Sequence, residues 1–263
     1  MSWQRRFSLM VIVILLGGLV ACSADYPSPP PEREALMVLA ASSLTEPFQQ
    51  LAGEFERQYP HVRVQLNFAG TQQLRVLLEQ GLSADVVATA NALHMRALGD
   101  QGLIHQPELF ARNHLVLVVL RGNPAGIGGL ADLTRPHRLV LAGPSVPAGY
   151  YARQVLSNLE AYFGQDFSER VLENLVSEES NVKGVLTKVA LGEADAGFVY
   201  ATDVLDVSTD DVIVVPIPPA ANVTAAYYIA RVATEANQGP ARDFVNFVLS
   251  TEGREVLRSY GFE

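Results

Sequence analysis

The chain has 263 residues, of which 49% are hydrophobic and 18% are charged, a composition typical of a globular protein with a sizeable core. Its formal net charge at pH 7 is −9, from 28 acidic and 19 basic residues. This balance argues against a nucleic-acid partner, because phosphate backbones are bound through clustered Lys and Arg. It does not argue against a small anion, which backbone N–H groups can bind inside an acidic protein.

The N-terminal region predicts a targeting segment followed by a tether. Two arginines precede an uncharged apolar run over 7–20, which is too short for a membrane span of about 20 residues and fits a secretory signal. The run ends in Leu-Val-Ala-Cys, which resembles the lipobox of bacterial lipoproteins. We therefore predict a lipoprotein signal peptide over 1–21 and lipidation of Cys22, the single cysteine. Four prolines within 22–35 predict an extended tether.

From residue 36 onward, short apolar segments alternate with segments of helical periodicity. Strands are predicted at 36–40, 62–68, 85–88, 114–120, 138–142, 196–200, 212–216 and 223–230. Helices are predicted at 44–59, 71–80, 92–100, 148–163, 180–191, 240–249 and 253–260. The run 114–120 is apolar almost throughout, which predicts burial on both faces. The alternation predicts an α/β fold with parallel sheets flanked by helices.

The globular part is long for a single sheet, which favours two lobes. The segments 118–121 and 215–221 are candidates for the strands that cross between them. On this interpretation, lobe 1 comprises residues 36–119 and 220–263, and lobe 2 comprises residues 120–219. Neither an internal repeat nor a low-complexity linker divides this part of the sequence.

Four predicted helices begin with residues that leave backbone N–H groups available. These entries are Ser42-Ser43, Gly70-Thr71, Pro147-Ala148 and Asn181-Val182. Each combines unpaired N–H groups with the positive end of a helix dipole, and loops of this kind converge on a crevice in doubly wound folds. If the four entries converge, they form an anion site built from neutral donors. Taken singly, each Ser or Thr is explained as a helix cap, and Tyr200 as a packing residue.

Five stretches of sequence, together with the ending Tyr-Gly-Phe262, carry a resemblance to a known family. They are Ala40-Ala41-Ser42-Ser43-Leu44-Thr45, Phe68-Ala69-Gly70-Thr71-Gln72-Gln73-Leu74, Ala84-Asp85-Val86-Val87-Ala88-Thr89-Ala90, Val146-Pro147-Ala148-Gly149-Tyr150-Tyr151-Ala152 and Gly197-Phe198-Val199-Tyr200. In this order and spacing they resemble the periplasmic molybdate-binding proteins of ABC importers. The resemblance covers residues 36–262.

The resemblance implies a type II periplasmic-binding-protein fold, in which each of two lobes is a sheet flanked by helices and the ligand lies in the cleft between them. It also implies that uncharged hydrogen-bond donors bind the oxyanion. Carried over by position, the ligand residues, which donate through hydroxyl or backbone N–H groups, are Ser43, Thr71, Ala148, Val182 and Tyr200. Thr71 stands where the family more often has Ser, and Gln72 and Gln73 replace small residues.

The same resemblance implies the solute-binding component of an ABC importer, not an enzyme, that binds molybdate or tungstate and delivers it to a permease with its ATPase. Together with the lipobox at Cys22, this predicts a lipid-anchored protein on the outer side of the cytoplasmic membrane or in the periplasm, and we expect a monomer. We expect no cofactor and no protein side chain bound directly to the metal. A neutral site would reject phosphate that keeps a proton, since that O–H needs an acceptor, and size would have to exclude sulfate.

Other chemistries have weaker support in the sequence. The five histidines form neither an HExxH motif nor a His–Cys cluster, which argues against zinc. Tyr150-Tyr151 suggests a ferric-ion binder, although one inward and one outward Tyr on a helix also explains the pair. Nucleophile and P-loop motifs are absent, Gly126–Gly129 is predicted to be a turn, and Glu178-Glu179 is predicted to lie in a solvated loop.

Two classes of alternative remain open. One is the same fold with another ligand, namely sulfate, phosphonate, an organic anion or ferric ion. The other is an enzyme or a purely structural lipoprotein on a similar scaffold. Ligand binding without turnover distinguishes the first class from the second.

Overall fold

The computed structural model describes residues 33–205, 211–234 and 238–263. The predicted signal peptide, Cys22 and nearly all of the tether lie outside these residues. Within the described part of the chain, no helix combines the length and apolar character that crossing a membrane requires.

Nine strands and eight α-helices alternate along the described residues. The strands are β1 (Glu34–Ala41), β2 (Val62–Ala69), β3 (Val86–Thr89), β4 (Ile104–Leu120), β5 (Leu139–Ala142), β6 (Leu175–Glu179), β7 (Ala196–Tyr200), β8 (Val212–Pro216) and β9 (Thr224–Val232). The helices are α1 (Thr45–Gln58), α2 (Thr71–Glu79), α3 (Ala92–Asp100), α4 (Pro147–Phe163), α5 (Phe167–Leu172), α6 (Val182–Ala190), α7 (Gln238–Leu249) and α8 (Thr251–Ser259). The 3-10 turn Ser42–Leu44 joins β1 to α1.

The strand β4 belongs to two sections of sheet. In the first section the order is β2-β1-β3-β9-β4, and β4 pairs with β9 from Ile104 to His114. In the second section β4 pairs from Leu115 onward with β7 and β8, and β5 lies between β7 and β6. We call the strands of the first section with α1, α2, α3, α7 and α8 lobe 1, and those of the second with α4, α5 and α6 lobe 2. The numerical lobe boundaries given above stay a prediction.

The sheet is mixed, so the expectation of parallel sheets is only partly right. β1 pairs in parallel with β2 and β3, and β5 pairs in parallel with β6 and β7. Every pairing that involves β4 or β9 is antiparallel. The parallel pairings join strands that α-helices connect along the chain, namely β1, β2 and β3 through α1 and α2, and β5, β6 and β7 through α4, α5 and α6. The sequence pattern predicted these units but not the antiparallel partners of β4 and β9.

β4 is longer than the apolar run that predicted it, because the polar segment 104–113 also pairs in the sheet. Its register shifts between His105 and Glu108, on either side of Pro107. A proline cannot donate to a strand ladder, and a bulge is one of the few positions where a strand tolerates it. The apolar half is buried as predicted, since every side chain in Leu115–Val119 is at most 6% exposed.

Glu178 and Glu179 lie in β6 and not in a solvated loop, so that prediction is wrong. Each carboxylate contacts a cation from a helix of the same lobe. Arg153 of α4 contacts Glu178, and Lys188 Nζ of α6 lies 2.7 Å from Glu179 Oε1. The cations that pair with these glutamates come from other elements of the chain, so the local sequence gives no sign of them and predicts a solvated segment.

Candidate anion site

All five residues predicted to bind the ligand lie around one cavity at the junction of the two lobes. The cavity is lined by Ala41, Ser42, Ser43, Gly70, Thr71, Ala90, Val146, Pro147, Ala148, Val182 and Tyr200. Its volume is about 10 Å³, taken as the space open to the centre of a water-sized sphere. That is on the order of the volume that one water molecule requires, so the cavity is small. None of the described residues that line it is an acid, a base or a histidine.

Four segments bring backbone N–H groups to this cavity. Thr71 is the first residue of α2, and Val182 is the first residue of α6. Ala148 is the second residue of α4, after the proline that begins the helix. Ser43 lies in the 3-10 turn before α1. The first N–H groups of a helix have no acceptor in a preceding turn, so these groups are available to a bound anion.

The hydroxyl group of Thr71 accepts one hydrogen bond from the protein and can still donate one. Its Oγ1 accepts a hydrogen bond from the backbone N–H of Ala90 at 3.2 Å, and the side chain is buried. A hydroxyl oxygen that accepts one bond still carries its own O–H donor. Because Thr71 lines the cavity, that O–H can be donated to a ligand.

Tyr200 offers a second side-chain donor. The residue is 1% exposed, and its Oη makes no hydrogen bond of ordinary distance and angle among the described residues, although the phenol of Tyr227 lies close enough to affect its pKa. A buried hydroxyl without a partner costs about 1–3 kcal/mol, a cost that an accepting ligand in the cavity would remove. Burial, and secondly the neighbouring Tyr227, raises the pKa of Tyr200 well above its usual value, so the phenol keeps its proton at neutral pH.

Tyr227 of β9 belongs to the same site, and the sequence did not predict it. Its Oη lies 3.0 Å from Ser43 Oγ, and burial raises its pKa, so it too stays protonated. Its ring packs edge-on against Tyr200, with centroids 5.8 Å apart, and against Phe262, with centroids 5.3 Å apart. Phe262, next to the C-terminal residue, therefore packs against Tyr227. The strand alternation places Tyr227 on the buried face of β9, but it does not show which residue it contacts.

The two glutamines after Thr71 act outside the cavity. Gln73 Oε1 accepts the backbone N–H of Gly70 at 3.2 Å, so it caps the start of α2. Gln72 Nε2 donates to the backbone carbonyl of Ser180 at 2.8 Å, which joins α2 of lobe 1 to the segment before α6. Neither glutamine is among the residues that line the cavity.

The alternative chemistries find little support in the geometry. Among the described residues, no three His, Cys, Asp or Glu side chains come together as a metal site. Tyr150 is exposed and Tyr151 is buried, and burial raises the pKa of Tyr151 to about 12, which disfavours the phenolate that ferric ion would need. The N–H groups of Gly128 and Gly129 donate to Asp132 Oδ2 at 2.9 and 3.1 Å, so a carboxylate of the chain already occupies that turn.

Comparison with known proteins gives one family and several similar folds. The family model described as bacterial extracellular solute-binding protein matches residues 36–263. The chain is 37% identical over 269 residues to the molybdate-binding protein ModA of Mycobacterium tuberculosis, which covers 100% of this chain and 99% of the relative. The fold is similar to that of the periplasmic molybdate-binding protein of Azotobacter vinelandii, with a TM-score of 0.73, 21% identity and coverage of 87% and 98% of the two chains.

A second similar fold is that of the sulfate-binding protein SubI of Mycobacterium tuberculosis. Its TM-score is 0.77 at 18% identity, and the match covers 88% of this chain and 86% of SubI. At this level of identity the likeness concerns the fold alone. The predicted two-lobed α/β fold is confirmed by these similarities.

Proposed function

The chain belongs to the bacterial extracellular solute-binding proteins, and we propose that it is the component of an ABC importer that binds molybdate or tungstate and delivers it to the permease. The members of this family are binding proteins of transporters and not enzymes. One observation carries the proposal: four N–H-bearing segments and the residues Ser43, Thr71 and Tyr200 surround one small cavity whose lining, among the described residues, includes no charged side chain.

Neutral donors suit a tetrahedral dianion. Its oxygens accept many hydrogen bonds, and preset N–H and O–H groups in a dry cavity can satisfy them without a Lys or Arg. In our proposal Ser43 and Thr71 donate through hydroxyl and backbone groups, Ala148 and Val182 through backbone N–H groups, and Tyr200 through its phenol. Protonated phosphate is disfavoured because its O–H finds no acceptor, and sulfate is disfavoured by its smaller size.

Ligand capture follows from closure of the two lobes. The open protein binds the anion, closure completes the donor set, and the closed form docks on the permease with its ATPase. Binding shifts an existing balance between open and closed forms by its differential affinity for the two. We further propose that the protein acts as a monomer without a cofactor. Cys22 anchors it by lipid on the outer side of the cytoplasmic membrane or in the periplasm.

Isothermal titration calorimetry tests this proposal. The protein without its signal peptide is titrated with molybdate, tungstate, sulfate and phosphate. We expect tight one-to-one binding of molybdate and tungstate and no binding of the other two. Ligand at about 100 times its dissociation constant should add about 2.7 kcal/mol to the free energy of unfolding. Preferential binding of sulfate would transfer the function to that anion, and no binding of any of the four would refute an oxyanion carrier.

A further inference from the structure

Three polar contacts join lobe 1 to lobe 2 around the cavity. Each has one partner in either lobe and a donor–acceptor distance of 2.8–2.9 Å, and the pairs are Glu46–Lys183, Gln72–Ser180 and His94–Ser145. Contacts of this kind can exist only while the two lobes are close together. These contacts would be lost if the lobes moved apart, so they favour a closed arrangement of the two lobes.

The Glu46–Lys183 pair lies next to two of the ligand donors. Lys183 directly follows Val182, whose N–H faces the cavity, and its Nζ lies 2.9 and 2.8 Å from the two carboxylate oxygens of Glu46. Glu46 is in the first turn of α1, just after the 3-10 turn that carries Ser43. The ion pair thus fixes the distance between a donor of lobe 1 and a donor of lobe 2.

The position of Lys183 has a cost within its own helix. It is the second residue of α6, where the positive end of the helix dipole disfavours a cation. Two carboxylates offset this cost, Glu46 from lobe 1 and the buried Asp203, whose Oδ1 lies 3.9 Å from Lys183 Nζ. The cation is therefore best accommodated when Glu46 of the other lobe is in place, that is, in the closed form.

We propose that Glu46 and Lys183 are positioning residues that latch the two lobes closed over the bound anion and so slow its release. This inference rests on the proposed function, since it needs a ligand held by closure. The pair stabilises the closed form and not the open one. It therefore acts on the rate of ligand release. Glu46→Gln should leave the stability of the open protein nearly unchanged, whereas Lys183→Gln also removes the cation beside the buried Asp203 and should lower the stability of both forms.

The test compares ligand release from the parental protein with release from Glu46→Gln and Lys183→Gln, by stopped-flow mixing with a trapping excess of a competing protein. The two side chains are 35% and 30% exposed, so the pair is partly screened by solvent. We expect release to be about 2- to 5-fold faster in each variant, and the difference to shrink as salt is added. Lys183→Arg, which keeps the cation, should release the ligand at close to the parental rate.

The two variants also separate a latch from a simple effect of charge. Glu46→Gln removes a negative charge near a bound anion, so electrostatics alone would slow release. Lys183→Gln removes a positive charge, so electrostatics alone would speed it. A latch predicts faster release in both. Opposite changes in the two variants, or unchanged release in both, overturn the proposal.

Matched controls come from ion pairs and helix ends within a single lobe. Lys188→Gln breaks the pair with Glu179 at 2.7 Å, in which both partners belong to lobe 2. Glu252→Gln removes an acid from the first turn of α8, where it accepts a bond from Gln58 of the same lobe. Both controls should release the ligand at the parental rate. The experiment uses whichever of the four anions the parental protein binds most tightly, so a protein that prefers sulfate or phosphate overturns the proposed function while the latch is still tested.

Discussion

At the scale of a single residue, the hydroxyl of Tyr200 should matter for ligand binding and not for the free energy of unfolding. It is buried and makes no hydrogen bond of ordinary geometry among the described residues, with only the phenol of Tyr227 close by, so in the unliganded protein it is poorly satisfied. We predict that Tyr200→Phe weakens molybdate binding by about 1–3 kcal/mol, because a donor to the charged ligand is lost. The free energy of unfolding of the unliganded variant, measured in urea, should be equal to that of the parent or slightly higher. A large loss of stability would show that the hydroxyl has a structural partner.

Thr71→Ala should behave differently, because Thr71 Oγ1 also accepts the N–H of Ala90. Its removal leaves that buried N–H without an acceptor, so we predict a loss of about 1–3 kcal/mol in binding and a loss of stability as well. Calorimetry and urea unfolding measure the two effects separately. Tyr162→Phe, at an exposed position on α4, is the control and should change neither. Parental affinity in both Thr71→Ala and Tyr200→Phe would refute the site assignment.

The helix starts at the candidate site were predictable because they are local features of the sequence. The Gly-Thr, Pro-Ala and Asn-Val dipeptides mark the starts of three helices, and the structure begins those helices there. Their convergence on one cavity came from the family resemblance and not from the local pattern. Tyr227 was missed because its contact with Ser43 spans 184 residues of sequence, and Lys183 was missed because its partner is in the other lobe.

At the scale of the secondary-structure element, the start of α2 approaches lobe 2 closely at Gly70. A Cβ at Gly70 would lie 2.3 Å from the carbonyl oxygen of Ser180, a separation that atoms do not tolerate. The backbone dihedral angles there are φ −60° and ψ 138°, which any residue can adopt. Alanine is therefore excluded by the steric clash of its Cβ and not by the backbone conformation. Glycine at this position therefore permits the two lobes to close.

We predict that Gly70→Ala weakens molybdate binding by about 1–3 kcal/mol, the usual cost of overpacking, because the clash with the Ser180 carbonyl exists only while the lobes are close, whereas the end of the Gln72 side chain, 2.6 Å from the added Cβ, is flexible and can move away. The open protein should unfold in urea at nearly the parental concentration. Gly53→Ala in α1 is the matched control, since nothing lies within 4 Å of its added Cβ. It should bind like the parent and gain about 0.5–1 kcal/mol of stability from higher helix propensity. Parental affinity in Gly70→Ala would contradict a close approach of α2 to Ser180 in the bound protein.

Strands with an apolar sequence were predicted correctly. Strands with a polar sequence were missed, because they are stabilised by contacts with distant residues. The first half of β4 is polar and contains Pro107, yet it pairs with β9 through a bulge. β6 ends in two glutamates, which Arg153 and Lys188 of neighbouring helices pair. Periodicity reports which face is buried, but it does not report which distant residue completes a ladder or an ion pair.

At the scale of the whole molecule, one contact between the lobes carries an ionisable ring. His94 of α3 is 4% exposed, and its Nε2 lies 2.8 Å from the carbonyl oxygen of Ser145 in lobe 2. Its Nδ1 is buried without a partner in the described part of the chain. Burial has the largest effect and lowers the pKa of His94 below its usual 6.5. The hydrogen bond to Ser145 raises the pKa in part, the charge of Arg75 lowers it, and the charge of Glu79 raises it. The closed form therefore favours the neutral ring.

This preference predicts how stability depends on pH. The pKa of His94 is lower in the folded protein than the 6.5 of the unfolded chain, so below that pH the unfolded chain binds more protons. The contribution of His94 is present above about pH 6.5 and is lost as the pH falls toward the folded pKa. Urea unfolding between about pH 8 and about pH 5.5, with molybdate saturating, should show a steeper fall for the parent than for His94→Gln. Because both proteins carry the same ligand and the same other titrating groups, the difference isolates this ring, and equal slopes would mean that the closed form admits it in the charged state.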